Sequence, residues 1–247
     1  GINLNPDKVC NFDCRYCQVD RTLPGGSRRV DLNRLETELD TLLGYVAAGT
    51  LWSMSPFDTA EPHLRTVKDI AFAGDGEPTS CPGFADAVTV VGRLRDHYGL
   101  AEVKVVLLTN ATLLHRPAVQ RGLLALDKLN GEIWAKLDAG TPEWFTAVAG
   151  TKCSFDVVIN NIVEAALRRP IVLQSLFHTW NEEPPSEDEV QAWASRIGEL
   201  LAAGGQLSQV QVYSVARKPA DTRVGVLNID HLKRIASSAR TAISQQG

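Results

Sequence analysis

The chain has 247 residues, of which 44% are hydrophobic and 22% charged, the balance of an ordinary folded protein with a core of its own. The net charge of −4 argues against a large nucleic-acid-binding surface, which needs an excess of Lys and Arg. No apolar run approaches the ~20 residues that cross a bilayer. One basic stretch, Arg21–Arg29, is interpreted either as a solvated glycine-rich loop or as a mobile loop that touches an anionic substrate.

Hydrophobic spacing predicts strands and helices that alternate along the chain. Strands are predicted at residues 2–9, 69–73, 103–108, 132–137, 171–177 and 210–215. Helices are predicted at residues 31–46, around 88–94, at 117–129, from 141, and at 155–167, 186–201 and 228–243. Asp31 is the expected N-cap of the first helix, and Ser186 with Glu189 forms a capping-box pattern at a later one.

This order of elements predicts an α/β fold. Parallel strands need crossover helices, and six strand–helix units are fewer than the eight of a closed barrel. We therefore expect a partial (β/α)6 barrel of mostly parallel strands. We expect residues 1–247 to form a single domain, with a core at about 1–216 and a closing C-terminal helix at about 228–243.

The chain contains five cysteines, at positions 10, 14, 17, 81 and 153. The odd number does not favour a disulfide framework, and the opening GINLNPDKVC has neither the basic start nor the apolar core of a secretory signal. The expected compartment is a reducing cytoplasm.

Cys10, Cys14 and Cys17 have the spacing C-x3-C-x2-C, and soft thiolates in a short loop suit an iron–sulfur cluster or zinc. A structural zinc site takes four protein ligands, so three nearby cysteines favour a cubane cluster with one open iron. A zinc site that recruits Cys81, Cys153 or a histidine is the alternative.

The run Lys8–Cys17, KVCNFDCRYC, resembles the signature of the radical SAM superfamily. The resemblance implies that Cys10, Cys14 and Cys17 are the catalytic metal ligands of a 4Fe–4S cluster. It implies S-adenosylmethionine as the second cofactor, and Tyr16 as the aromatic residue that helps to seat the adenine.

Further residues of the site follow from the same resemblance. Gly74, Asp75, Gly76 and Glu77 resemble the Gly-Gly-Glu element that meets the methionine amino group in that family. Asp75 departs from the commoner Gly-Gly-Glu, so either Glu77 alone or both carboxylates serve. The remaining expected cofactor contacts lie at the ends of later strands: Thr109, Asn110, Lys136, Asp138, Gln174, Ser214 and Val215.

The resemblance implies an oxidoreductase that reductively cleaves S-adenosylmethionine, so that a 5′-deoxyadenosyl radical abstracts hydrogen from a substrate. The implied partner is a one-electron donor such as flavodoxin or ferredoxin. No membrane is expected as a partner. The segments NLNPDKVCNFDCRYCQVDR, AGDGEPT and VQVYSVARKP look like the bacterial branch related to wybutosine-forming tRNA enzymes. The acidic charge and the lack of a second cysteine set make a small molecule or peptide at least as good a substrate as tRNA. A non-catalytic iron–sulfur electron-transfer or cluster-carrier protein is the alternative function.

Overall fold

The computed structural model describes residues 1–246; Gly247, the last residue of the expected domain, lies outside the described residues. The strands within this range are β1 Asp69–Phe72, β2 Lys104–Thr109, β3 Gly131–Lys136, β4 Ile171–Leu176, β5 His178–Trp180, β6 Leu207–Tyr213 and β7 Val224–Val226. The α-helices are α1 Leu32–Ala47, α2 Phe84–His97, α3 Pro117–Leu126, α4 Pro142–Ala149, α5 Phe155–Arg168, α6 Glu187–Ala202 and α7 Ile229–Ser244.

The main sheet has five strands in the order β1-β2-β3-β4-β6, counted over residues 1–246. Each neighbouring pair in it runs parallel, because helices carry the chain back between the strands. The fold class expected from the sequence is therefore confirmed: an α/β protein with a mostly parallel sheet, consistent with a partial barrel. In the described part of the chain, no helix is both long and apolar enough to cross a membrane.

The first expected strand is much shorter than residues 2–9. Only Ile2 pairs with the sheet, through a parallel bridge to Phe72, in which its N–H donates to the carbonyl of Ala71 at 2.7 Å. Pro6 has no N–H to donate, and Lys8 adopts a left-handed conformation with φ of 59°. The N–H of Asn5 donates to the Asn3 side chain at 2.9 Å, so the backbone leaves the sheet before Pro6, and the left-handed Lys8 turns the chain into the cysteine loop.

The core lies between the sheet and its helices. Phe72 of β1 meets Phe84 of α2 edge to face, with ring centroids 5.8 Å apart. Trp193 of α6 is fully buried, and its indole N–H donates to the Leu137 carbonyl at 3.0 Å. This bond holds α6 against the end of β3, next to the face where the strands finish.

The caps differ in part from the expectation. Asp31 is the N-cap of α1 and accepts from the backbone N–H groups of Asn33 and Arg34. Ser186 accepts from the N–H of Glu189, but Glu189 does not complete the capping box. Its carboxylate instead accepts from the N–H of Gly140 and the hydroxyl of Thr141, so it ties α6 to the start of α4.

Two features have no counterpart in the expected elements. Three short 3₁₀ helices, Thr50–Ser53, Phe57–Thr59 and Pro62–Leu64, join α1 to β1. Strands β5 and β7 pair antiparallel beside the main sheet. Both features consist of segments of three or four residues, too short to carry a hydrophobic period.

Candidate functional site

A cavity of about 460 Å³ opens where the parallel strands end. Strand carboxyl ends are where parallel α/β sheets collect their functional groups. The cysteine loop, residues 10–17, forms one wall. The expected site residues that line the cavity are Cys10, Cys14, Tyr16, Cys17, Gly74, Gly76, Glu77, Thr109, Asn110, Lys136, Gln174, Ser214 and Val215.

The cysteine loop is fixed to the end of α4 by its backbone. The N–H of Asp13 donates to the carbonyl of Ala149 at 2.9 Å, and the N–H of Arg15 donates to that of Val148 at 3.0 Å. These carbonyls belong to the last turn of the helix, where no intrahelical donor remains. The loop therefore takes its position from a rigid element.

Two glycines let other backbone segments approach this loop closely. A Cβ at Gly76 would collide with the carbonyl oxygen of Val9, and a Cβ at Gly150 would collide with that of Asp13. Gly150 also has a φ of 56°, a left-handed conformation that glycine adopts without strain. The loop is thus held between the 74–77 turn and the end of α4.

A Gly150→Ala variant should load less iron than the native chain, because the new methyl group pushes the Asp13 backbone away from α4. Gly49→Ala is the matched control: Gly49 has a φ of 71°, and a Cβ there meets nothing within 4 Å. Both variants should lose ~1 kcal/mol of unfolding free energy from left-handed strain. Iron analysis after reconstitution should separate them, and equal iron contents would show that the Gly150 contact does not position the loop.

The cysteine side chains are thiols that form no disulfide. Burial raises the pKa of the Cys14 thiol to about 12, helped by the negative charge of Asp138. Burial also raises the pKa of Cys10. Hydrogen bonds reach two of the sulfurs: the Phe12 N–H approaches Cys10 Sγ at 3.5 Å, and the Arg21 guanidinium donates to Cys17 Sγ at 3.1 Å.

The chemistry of these cysteine sulfurs suits an iron–sulfur cluster. Three soft sulfur ligands border one cavity, and N–H groups point at the sulfurs, as in clusters whose potential the protein tunes. Residues 1–246 contain no group of three or more His, Cys, Asp or Glu side chains arranged to hold a single metal ion. A cubane needs a different arrangement, because each of its cysteine ligands binds a different iron.

Glu77 is buried in the lining of the cavity, and its carboxylate accepts four hydrogen bonds. Its Oε1 accepts from the N–H of Thr79 at 3.1 Å and from the hydroxyls of Thr79 and Thr109 at 2.5 and 2.6 Å. Its Oε2 accepts from the N–H of Asn110 at 2.7 Å. Burial nevertheless raises the pKa of this carboxyl, although the four bonds oppose the shift.

Tyr16, Asp138, Lys136 and Tyr213 form a polar network beside Cys14. The Tyr16 hydroxyl donates to Asp138 Oδ2, and Lys136 Nζ lies 3.4 Å from the same oxygen. Lys136 also donates to the Tyr213 hydroxyl at 3.0 Å. Burial opposes the lysine charge, yet Asp138 and Tyr213 outweigh it and raise the pKa of Lys136. The network presents a half-buried cation to the cavity.

Two expected contact residues do not line the cavity. Asp75 is half-buried, and its carboxylate accepts from the Asn3 side chain at 2.8 Å. Asp138 lies behind Tyr16 and Lys136, where its Oδ1 accepts from the N–H of Leu176. Both residues therefore orient their neighbours in this structure.

Other residues of the cavity wall were missed by sequence reasoning. They include Gln18, Leu176, Tyr213 and Arg217. Tyr213 ends β6, so the strand-end rule that suggested Ser214 could have included it. Cys81 lies outside this cavity, in a separate groove of about 700 Å³.

The chain resembles several known proteins weakly, and no protein-family model matches it. It is 26% identical over 129 residues to a UPF0026 protein of Helicobacter pylori, 51% of this chain and 35% of that protein. It is 24% identical over 150 residues to a UPF0026 protein of Methanocaldococcus jannaschii, 56% and 39% of the two chains. A GTPase Obg of Brachyspira hyodysenteriae matches at 25% over 166 residues, 66% and 21% of the two. The chain thus spans well under half the length of these curated relatives.

Among solved structures, the chain is similar to a radical SAM methyltransferase from Sphaerobacter thermophilus, with a TM-score of 0.61. The likeness covers 94% of this chain and 61% of that protein, at 13% sequence identity. It establishes that this chain shares the fold of that protein.

Proposed function

We propose that this protein is a radical SAM enzyme, with Cys10, Cys14 and Cys17 as the ligands of a 4Fe–4S cluster. One observation carries the proposal: the three cysteines, Tyr16 and Glu77 border one cavity at the carboxyl ends of the parallel strands. The C-x3-C-x2-C spacing and the similar solved structure support it independently. When bound, the cluster and S-adenosylmethionine supply the 5′-deoxyadenosyl radical that abstracts hydrogen from a substrate.

The residues of the chain would bind and orient the cofactor. Glu77 offers a carboxylate to the methionine ammonium, since Oε2 accepts only one hydrogen bond within residues 1–246. Lys136 offers a cation to an anionic or hydroxyl-rich part of the ligand. Thr109 and Asn110 hold Glu77 in place through its oxygens, so the ammonium meets a fixed acceptor.

Substrate and partners belong to the same proposal. We favour a small molecule or a peptide as substrate because the net charge is −4. The resemblance to wybutosine-type enzymes makes a tRNA-modifying enzyme the second candidate, and a non-catalytic cluster carrier the third. A flavodoxin or ferredoxin would supply single electrons.

Anaerobic reconstitution with iron and sulfide, followed by dithionite and S-adenosylmethionine, tests the proposal. We expect a brown protein that converts S-adenosylmethionine to 5′-deoxyadenosine and methionine, measured by liquid chromatography. A cluster that forms but yields no 5′-deoxyadenosine, with or without candidate substrates, would favour a cluster carrier. A colourless protein with one zinc per chain would favour a structural zinc site.

A further inference from the structure

Arg21 connects Cys17, the third cysteine, to Lys8, which lies just before the cysteine loop. Its Nη1 donates to Cys17 Sγ at 3.1 Å, and its Nε donates to the carbonyl of Lys8 at 3.3 Å. Two bonds from one planar guanidinium fix its orientation. The cation therefore faces a sulfur that the proposed cluster would use as a ligand.

Lys8 holds the segment that carries Arg21. Its Nζ donates to the carbonyl of Asp20 at 2.6 Å and reaches that of Leu23 at 3.4 Å. Lys8 thus binds the carbonyls around Arg21, while Arg21 binds the carbonyl of Lys8. These hydrogen bonds join the two ends of segment 8–23, which contains the three cysteines.

The charge of Arg21 is directed at the sulfur. Within residues 1–246, Arg21 forms no ion pair with a carboxylate. The nearby Asp20 carboxylate is occupied by the N–H and hydroxyl of Thr22, at 2.9 and 2.6 Å. A cation that donates to a thiolate makes a charge-assisted bond, which is stronger than a neutral one.

We propose that Arg21 raises the reduction potential of the cluster bound through Cys17, an inference that rests on the proposed function. In the reduction, one electron passes from an external one-electron donor to the cluster, and no bond forms or breaks. The added electron increases the negative charge on the sulfurs, so a hydrogen-bonded cation stabilises the reduced state more than the oxidised one. Arg21 thereby acts through Cys17 as a positioning and tuning residue.

Redox titration of reconstituted Arg21→Gln, monitored by electron paramagnetic resonance without S-adenosylmethionine, tests this inference. We expect the ratio of reduced to oxidised cluster at a fixed potential to fall about three- to tenfold, equivalent to about 28 to 59 mV for one electron. Arg21→Lys keeps the positive charge and should lower the ratio of reduced to oxidised cluster by less. Arg29→Gln, which removes the same charge from the same segment without touching a sulfur, is the matched control and should match the native potential.

Equal potentials for native protein and Arg21→Gln would overturn the inference while leaving the proposed function intact. If Arg21→Gln does not hold a cluster, the reduction potential of a Lys8→Met variant is measured instead. This change frees the segment that carries Arg21 and should lower the potential of the cluster. An unchanged potential would overturn the inference. A native protein that assembles no reducible cluster would overturn the proposed function, and this inference with it.

Discussion

A Cys14→Ser variant should bind almost no iron after reconstitution, where the native chain should bind about four per chain. Serine offers a hard hydroxyl in place of a soft thiolate, and Cys14 is the proposed ligand that lies beside the Tyr16 and Asp138 network. Iron analysis and the visible spectrum measure the loss directly. Formation of 5′-deoxyadenosine should fall to background in the same samples.

Cys81→Ala is the matched control for this prediction. Cys81 is buried in the separate groove, away from the cavity. Its replacement should cost ~1 kcal/mol of unfolding free energy and leave the iron content unchanged. A Cys14→Ser protein that retains the native iron content and activity would show that the cavity cysteines are not the ligands.

A Glu77→Gln variant should lose both stability and cofactor affinity. The carboxylate is surrounded by four donors, so the amide group of glutamine would turn an N–H toward another donor. Leaving buried groups unpaired in this way should lower the unfolding free energy by ~2–4 kcal/mol. Loss of the negative charge should weaken S-adenosylmethionine binding at least about tenfold, the equivalent of ~1.4 kcal/mol.

Urea unfolding of the cluster-free protein measures the stability change, and calorimetric titration of the reconstituted protein measures the affinity. Asp75→Asn is the control, because this neighbouring carboxylate lies outside the cavity lining and bonds only to Asn3 in the described residues. Its unfolding free energy should change by no more than ~0.5 kcal/mol. If Asp75→Asn weakened binding and Glu77→Gln did not, the assignment of the ammonium-binding carboxylate would be wrong.

The sequence predicts that most of the candidate residues converge on one cavity, because their positions depend on local pattern. The cysteine spacing places three sulfurs in one loop, and the ends of parallel strands must meet at one edge of the sheet. Glu77, Thr109 and Lys136 each follow or end a strand, so their convergence on one cavity follows from topology. The buried strand β2 is also predicted from local pattern, because its sequence is a dense run of apolar, partly β-branched residues.

What the sequence does not predict depends on contacts between distant segments. The bond of Asp138 to Tyr16 joins residues 122 positions apart, and no spacing rule indicates it. Glu189 fits a capping box by its spacing from Ser186, but its carboxylate accepts hydrogen bonds from Gly140 and Thr141 instead. The first strand stops after Ile2, where the Asn3 side chain accepts the N–H of Asn5, a local side-chain bond that hydrophobic alternation does not report.

The close backbone contacts at Gly76 and Gly150 also bear on the thermodynamics of cofactor loading. Fixing the backbone of one residue costs on the order of 1–2 kcal/mol in conformational entropy. We expect these contacts to order the cysteine loop, residues 10–17, on folding, so that insertion of the proposed cluster would not have to supply on the order of 10 kcal/mol for its eight residues. Loading of the proposed cluster would then fill a preformed site, unlike metal binding by zinc fingers, whose chains fold only as the metal binds.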